Sequence, residues 1–251
     1  MDSIIFPFDF EADGKDVDIA KIIQVYIQAP NGNAYEGEFV TIISLLSLYC
    51  FKSPTTLLFL IAFVNPGVAI SKDITKLTGI TNDDLAGAKT FAKIAQEMVD
   101  FIQRNKGDSG KVILAGFNAR DYDIPLLTNE LLRLGDQSRL AITDFGEKVL
   151  DVYHLAKNVN VWDDAGFDMP ARHGLKDVYR ALHGGNDPEN LHTAGGDVIA
   201  MNAVIAKLDP HYSISLQDYT YSISYENVEL DSLPLEERKT AKAAQSKLPM
   251  S

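Results

Sequence analysis

The apolar residues of this chain change their period along the sequence, and this change limits the possible folds more than any other feature. Residues 3–10 and 19–29 are short apolar runs typical of β-strands. Pro-Asn-Gly-Asn at residues 30–33 is a strong turn signal after the second run. A third strand is expected to begin near Tyr35, so the first part of the chain predicts an antiparallel meander.

The remainder of the chain alternates between helical and strand patterns. Residues 111–116 predict a strand, and apolar residues recur at helical spacing in four other segments. These stripes are Phe91, Ile94, Met98, Phe101 and Ile102; Leu127, Leu131 and Leu134 after Pro125; Leu175, Val178, Tyr179 and Leu182; and Val198, Met201, Ile205 and Leu208. Strands followed by alternating strand and helix predict an α/β layered domain with a mixed β-sheet.

The predicted domain covers residues 1–210, and residues 211–251 form a C-terminal extension. Residues 211–231 are weakly strand-like, and the tail from about residue 236 is polar and expected to be disordered. The start of the chain lacks the basic region of a secretory signal, and Cys50 is the only cysteine. An intracellular protein, cytoplasmic or nuclear and without a disulfide framework, is therefore expected.

Residues 40–63 are an anomalous apolar insert in this pattern. A membrane span is the least favoured explanation, because Lys52-Ser53-Pro54 splits the apolar run in the middle. A buried helical hairpin is a second explanation. We favour a third, in which the segment is not authentic mature sequence but an insert kept in a gene model. Phe39-Val40 recurs as Phe63-Val64, so removal of residues 40–63 leaves a continuous strand pattern.

Two carboxylates stand at the end of the first predicted strand. Asp9 and Glu11 are two residues apart, and residues with this spacing point to the same face of a strand. Two anions this close repel each other unless cations lie between them or one takes up a proton. Hard oxygen ligands of this kind suit Mg²⁺ or Mn²⁺. The alternative is a solvated strand end.

Two further polar clusters precede helices. Phe117 to Asp123 follow a predicted strand, and ligands gather at such strand-to-helix turns, although Asp123 would also serve as an ordinary helix N-cap. His192 and Asp197 cannot share one helix face. They can converge if His192 lies on the loop before the helix and Asp197 on its inner face. Gly195 and Gly196 would allow close approach to a ligand.

Taken in order, these motifs resemble those of the DEDDh, or DnaQ-like, 3′→5′ exonucleases, and most closely the three-prime repair exonucleases. The matching residues are Asp9-x-Glu11-Ala12, Asn118, Tyr122-Asp123-Ile124-Pro125-Leu126-Leu127, His192-Thr193-Ala194-Gly195-Gly196-Asp197-Val198 and the connecting Ile74–Thr81. The resemblance implies a ribonuclease H-like mixed β-sheet flanked by α-helices. This sequence departs from the family pattern at Asp13, at Gly116-Phe117 and at Pro7, which puts substrate positioning and strand geometry in question rather than the chemistry.

The resemblance also implies a reaction. Two Mg²⁺ or Mn²⁺ ions about 3.5–4 Å apart would hold the attacking and leaving oxygens at phosphorus. Asp9 would bridge both ions, Glu11 and Asp197 would complete one shell, and Asp123 would hold the second ion partly through water. His192 would be the general base, and Ala12 and Tyr122 would line the pocket of the 3′ nucleotide.

The expected partner is single-stranded DNA or a DNA 3′ end, and no membrane. The net charge of −12 provides no overall basic field, so cations at the site would have to neutralise the scissile phosphate. An RNA-directed exonuclease and an inactive nucleic-acid-binding relative are the alternatives. The sequence leaves open whether the protein forms a homodimer.

Overall fold

The computed structural model describes residues 3–29, 59–108, 111–135, 140–211, 214 and 218–223. Seven strands lie in this part of the chain: β1 (Ser3–Ala12), β2 (Ile22–Gln28), β3 (Phe59–Asn65), β4 (Lys89–Thr90), β5 (Lys111–Gly116), β6 (Lys148–Asp151) and β7 (Thr220–Ser222). The helices are α1 (Lys72–Thr78), α2 (Asn82–Ala86), α3 (Phe91–Asn105), α4 (Asp123–Leu134), α5 (Val152–Ala156), α6 (Val159–Ala165), α7 (Leu175–Leu182) and α8 (Ala194–Leu208).

The strands form one mixed sheet in the order β4-β3-β2-β1-β5-β6-β7. The pairs β1–β5 and β5–β6 are parallel, whereas β1–β2 and β2–β3 are antiparallel. The predicted meander and the predicted mixed sheet are both present among the described residues, where β3 is the strand that pairs with β2 after the turn. Tyr35 itself lies outside the described residues.

Pro7 does not disturb the central strand. β1 pairs with β5 over residues 3–7 and with β2 over residues 8–12. The residue without an N–H therefore lies where the pairing passes from one neighbour to the other, and not within a stretch that is paired on both sides.

Helices cover both faces of the sheet. Phe6, Phe8 and Phe10 point to the face packed by α3 and α4, and they are almost completely buried there. Ile113, Ala115 and Leu150 pack against the helices of the opposite face, which include α7 and α8. Because side chains alternate along a strand, Asp9 and Glu11 point to the α8 face. The fold thus directs both carboxylates towards the last long helix.

Part of the apolar insert belongs to the sheet. Residues 59–63 are the first five residues of β3 and pair with β2, while residues 40–58 lie outside the described part of the chain. None of the helices among the described residues combines the length and hydrophobicity that a membrane span needs.

The C-terminal extension also contributes a strand. β7 pairs antiparallel with β6, and Ile223 is buried in the core on the α3 and α4 face. The sheet therefore continues past the expected boundary at residue 210. The tail from residue 236 lies outside the described residues.

Candidate active site

The candidate site lies at one edge of the sheet. Because β1, β5 and β6 are parallel, their carboxyl ends meet at this edge. Asp9 and Glu11 lie within the last four residues of β1. A β-bulge between Glu11 and Ala12 ends the regular pairing with β2. Helix α8 packs across β1 and β2 and brings Asp197 to the same place.

Three carboxylates converge there. Asp9, Glu11 and Asp197 each offer one oxygen, and these oxygens all lie within 4.8 Å of one another. The arrangement consists only of hard oxygen donors, which are the ligands that Mg²⁺ and Mn²⁺ prefer. The donor set therefore fits a divalent cation of this class.

Asp123 adjoins this group from the other side. It is the first residue of α4 and only 4% of its surface is exposed. Its Oδ1 accepts a hydrogen bond of 3.2 Å from the backbone N–H of Phe10, which lies between Asp9 and Glu11. Pro125 lies in the first turn of α4, as expected, but the alternative that Asp123 is an ordinary N-cap does not hold, because Tyr122 is the N-cap residue and the Asp123 carboxylate is bonded to β1.

The carboxylates raise one another's affinity for protons. Burial, followed by repulsion from Asp123, Asp197 and Glu11, raises the pKa of Asp9 well above its usual value. Burial and the charges of Asp197 and Asp123 raise the pKa of Glu11 to about 8. The pKa of Asp123 rises to about 7, mainly through burial. This cluster holds its negative charge poorly without cations.

His192 lies on the loop before α8, as predicted. Its side chain is exposed, and its backbone has φ of +64°. The backbone N–H of His192 donates to Oδ1 of Asp197 over 3.2 Å. Burial raises the pKa of Asp197, and the backbone bond from His192 and the nearby His192 ring offset part of that rise. The imidazole is therefore near the carboxylates without being one of the clustered ligands.

The two glycines of this loop have contacts within the protein. A Cβ on Gly196 would lie 2.0 Å from the carbonyl oxygen of Asn190, and a Cβ on Gly195 would lie 3.2 Å from the Tyr26 ring. Both glycines are therefore needed for the packing of this loop, and the close approach to a ligand stays a prediction. The packing fixes His192 relative to Asp197.

Ala12 and Tyr122 directly adjoin two of the carboxylate residues in the chain, Glu11 and Asp123. Ala12 is buried at the end of β1, and the Tyr122 hydroxyl donates to the carbonyl oxygen of Gly14 over 2.6 Å. Burial, and then the charges of Asp123, Glu11, Asp13 and Asp9, raise the pKa of Tyr122 to about 12. Tyr122 is thus close to the cluster and tied to the loop that follows Ala12.

Asn118 begins the turn that leads to Asp123. Its φ is +62°, a conformation that asparagine tolerates better than most residues, and its carbonyl accepts from the N–H of Tyr122. Gly116 before it leaves no room for a side chain, because a Cβ there would lie 2.5 Å from the Cβ of Ala119.

Asp151 is a residue that the motif analysis missed. It is completely buried, caps α5, and its carboxylate accepts from the backbone N–H groups of Asn118, Arg120 and Tyr153 at 2.9–3.1 Å. It therefore fixes the turn that carries Asn118, Tyr122 and Asp123. An aspartate at the end of a buried strand, directly before a helix, was the available signal.

Solved structures of exonucleases share this fold. The chain is similar to E. coli exonuclease I in a zinc-bound complex with single-stranded DNA (17% identity, TM-score 0.60, 87% of this chain and 43% of that chain). It is also similar to E. coli exonuclease I with a dT13 oligonucleotide (15% identity, TM-score 0.59, 92% and 46%) and to a full-length 3′-exonuclease (18% identity, TM-score 0.53, 82% and 60%). The predicted ribonuclease H-like fold is confirmed.

These similarities define the fold class. The chain spans about 43% to 60% of the length of the structures named here. No protein-family model matches the sequence, and no curated protein matches it.

Proposed function

We propose that this protein is a metal-dependent 3′→5′ exonuclease that releases nucleoside 5′-monophosphates from DNA 3′ ends. The observation that carries the proposal is the convergence of Asp9, Glu11 and Asp197, with Asp123 beside them, at the carboxyl edge of the sheet. Structural neighbours that bind single-stranded oligonucleotides support this substrate class.

The four carboxylates are the residues that would hold two Mg²⁺ or Mn²⁺ ions. When bound, such ions neutralise phosphate charge and make water a stronger nucleophile at neutral pH. The raised pKa values of Glu11 and Asp123 support the assignment, because perturbed carboxyl groups of this kind concentrate at functional sites.

His192 supplies the base in this proposal. An imidazole nitrogen of His192 accepts a proton from the attacking water, whose oxygen forms a bond to phosphorus. The bond between phosphorus and the 3′-oxygen of the preceding nucleotide breaks, and that oxygen takes up a proton. The exposed ring of His192, next to Asp197, is accessible to solvent for this exchange.

Ala12 and Tyr122 are proposed to bind the terminal nucleotide. Both lie beside the carboxylates, and the bond from the Tyr122 hydroxyl to Gly14 holds the ring in one orientation. A half-buried aromatic ring at this place provides an apolar surface for a sugar or a base, and such contacts tolerate any sequence.

The test uses the full chain and an oligothymidylate of about twelve nucleotides with a label at its 5′ end. With Mg²⁺ or Mn²⁺ we expect stepwise shortening and release of thymidine 5′-monophosphate, and with EDTA we expect none. Asp9→Asn should abolish shortening, whereas Asp73→Asn, at an exposed aspartate in the first turn of α1, should retain it.

The outcomes are distinct. Retained metal-dependent shortening by Asp9→Asn would contradict the proposed site. Binding of the oligonucleotide without shortening would indicate an inactive relative. Faster shortening of the matching oligouridylate would indicate the RNA-directed alternative.

A further inference from the structure

A connected set of aromatic and cationic side chains lies beside the candidate site, along the carboxyl ends of β5 and β6. We call it the aromatic ladder; its members are Phe117, Arg120, Tyr153, His154, Lys157 and Tyr221. The ring centroids of Phe117 and Tyr153, of Tyr153 and His154, and of His154 and Tyr221 are 5.6–5.7 Å apart. The rings thus form a continuous series from the end of β5 to β7.

Two cations lie over the faces of these rings. The guanidinium carbon of Arg120 is 4.1 Å from the centroid of the Tyr221 ring, and Nζ of Lys157 is 4.9 Å from that of Tyr153. The Arg120 side chain is 49% exposed, so about half of it is accessible to a ligand from solvent. A planar cation supported from below by a ring is a surface on which a base can stack.

The aromatic ladder is joined directly to the candidate site. Arg120 is three residues before Asp123, and its backbone N–H donates to Oδ2 of the buried Asp151 over 2.9 Å. The same turn therefore sets the positions of Arg120 and of Asp123. A ligand held on the ladder would lie next to the carboxylates.

The ladder brings two cations to this edge of an acidic chain. Arg120 and Lys157 are its two cations, and its nearest exposed acid is Asp121, 4.0 Å from Nε of Arg120 and 3.9 Å from Nε2 of His154. The chain as a whole carries −12. Two cations at this place, with Asp121 and the buried Asp151 as the acids beside them, give a polyanion a pair of positive contacts on an otherwise acidic chain.

We propose that the aromatic ladder binds the single strand on the 5′ side of the terminal nucleotide, with bases stacked on Arg120 and Tyr153 and phosphates near Arg120 and Lys157. This inference rests on the proposed exonuclease function. Rings combined with cations are the means by which proteins bind unpaired strands without reading their sequence. Paired bases are already stacked in a duplex, so the ladder selects single strands.

The test measures binding and not cleavage. In an Asp9→Asn background with EDTA, fluorescence anisotropy is recorded with labelled oligothymidylates of about twelve and about three nucleotides. The parent should bind the longer strand more tightly. Arg120→Ala and Lys157→Ala should each weaken binding of the longer strand about fivefold to tenfold, and so bring the ratio of the two affinities towards one.

Salt dependence gives a second measurement. Each of these variants should reduce the slope of log affinity against log salt concentration by about 0.7, the value for one phosphate contact on a single strand. Lys93→Ala, at an exposed lysine on α3, is the matched control and should change neither the affinity nor the slope.

Unchanged binding in both ladder variants, or an equal loss in Lys93→Ala, would overturn the inference. A thermal melt would detect whether Arg120→Ala loosens β7. In that case Lys157→Ala still decides, because the Lys157 ammonium lies over the Tyr153 ring of α5. If the unaltered protein shortens the oligonucleotide but the ladder variants bind it as tightly as their parent, only the ladder is refuted. If binding depends on the ladder but the unaltered protein shortens no oligonucleotide, the exonuclease function is refuted.

Discussion

His192 is held at the site by its backbone, while its ring stays exposed. The N–H bond to Asp197 and the contact between Gly196 and Asn190 fix the loop, and the imidazole makes none of these contacts. Removing the ring should therefore leave the loop and the carboxylates in place.

We expect His192→Ala to lower kcat about 10²–10⁴-fold, the usual scale for the loss of a general base. The rate of the unaltered protein should fall as pH drops, because only the neutral imidazole accepts a proton, and this acid limb should change in the variant. Affinity for Mn²⁺, measured by calorimetry, should remain. Asp197→Ala is the contrast, since it removes one of the three clustered carboxylates and should weaken Mn²⁺ binding itself. An unaltered acid limb, or an equally large loss of Mn²⁺ affinity in His192→Ala, would refute the assignment.

Asp151 acts on the site through the backbone. Its carboxylate accepts three N–H bonds while completely buried, and an amide in its place offers one accepting oxygen and an unpaired donor. We expect Asp151→Asn to lower the free energy of unfolding by about 1–3 kcal/mol. Urea denaturation measures this change.

Asp84→Asn is the control for Asp151→Asn. Asp84 accepts the N–H of Thr81 in an exposed capping box at the start of α2, so its loss should cost less than about 1 kcal/mol. Equal effects of the two substitutions would mean that burial of Asp151 adds nothing to its role.

At the scale of elements, β3 is where the apolar insert meets the fold. If residues 40–63 are removed, Tyr35 to Phe39 take the sequence positions of Phe59 to Phe63. Phe39 replaces an identical Phe63, and Tyr35 replaces another aromatic residue. Glu36 and Glu38, however, replace Leu60 and Ala62, which pack partly buried against the core.

We expect the chain without residues 40–63 to be soluble and to retain oligonucleotide shortening. The two glutamates should lower its free energy of unfolding by about 1–2 kcal/mol, because the half-buried apolar area of Leu60 and Ala62 against the core is lost. Expression, urea denaturation and shortening are compared with the full chain. An insoluble or inactive deletion beside a well-behaved full chain would show that the segment is an integral element.

The sequence predicted those strands and helices whose buried residues recur at a regular spacing along the chain. β5 and α7 match their predicted ranges, because one strand face or one helix stripe explains each of them. β7 has only three residues, and its pairing with β6 depends on distant residues, so its strand pattern was weak. Asp9 and Glu11 were readable from their spacing, whereas Asp151 acts through backbone groups more than 30 residues away in sequence. Such tertiary bonds leave no periodic signal.

At the scale of the whole molecule, the site stores electrostatic repulsion that depends on pH. Glu11 and Asp123 have pKa values of about 8 and about 7 in the folded protein, against ordinary values of 4.5 and 3.8. Between about pH 4 and about pH 8, these two groups therefore bind more protons in the folded chain than in the unfolded chain. The free energy of unfolding must therefore fall as pH rises from about 4 to about 8, as far as these two groups determine it.

Divalent cations should reverse this loss of stability. In EDTA we expect the melting temperature to be lower at about pH 8 than at about pH 5, and we expect Mn²⁺ to raise it most at the higher pH, where the carboxylates are ionised. Asp9→Asn removes one repelling charge without changing the volume of the side chain. It should raise stability in EDTA at about pH 8 by about 1 kcal/mol, or about 2–4 °C, and lose most of the stabilisation by Mn²⁺. Differential scanning calorimetry at both pH values, with Asp73→Asn as the exposed control, measures these changes. Equal stabilisation of Asp9→Asn and the unaltered protein by Mn²⁺ would place the cation elsewhere.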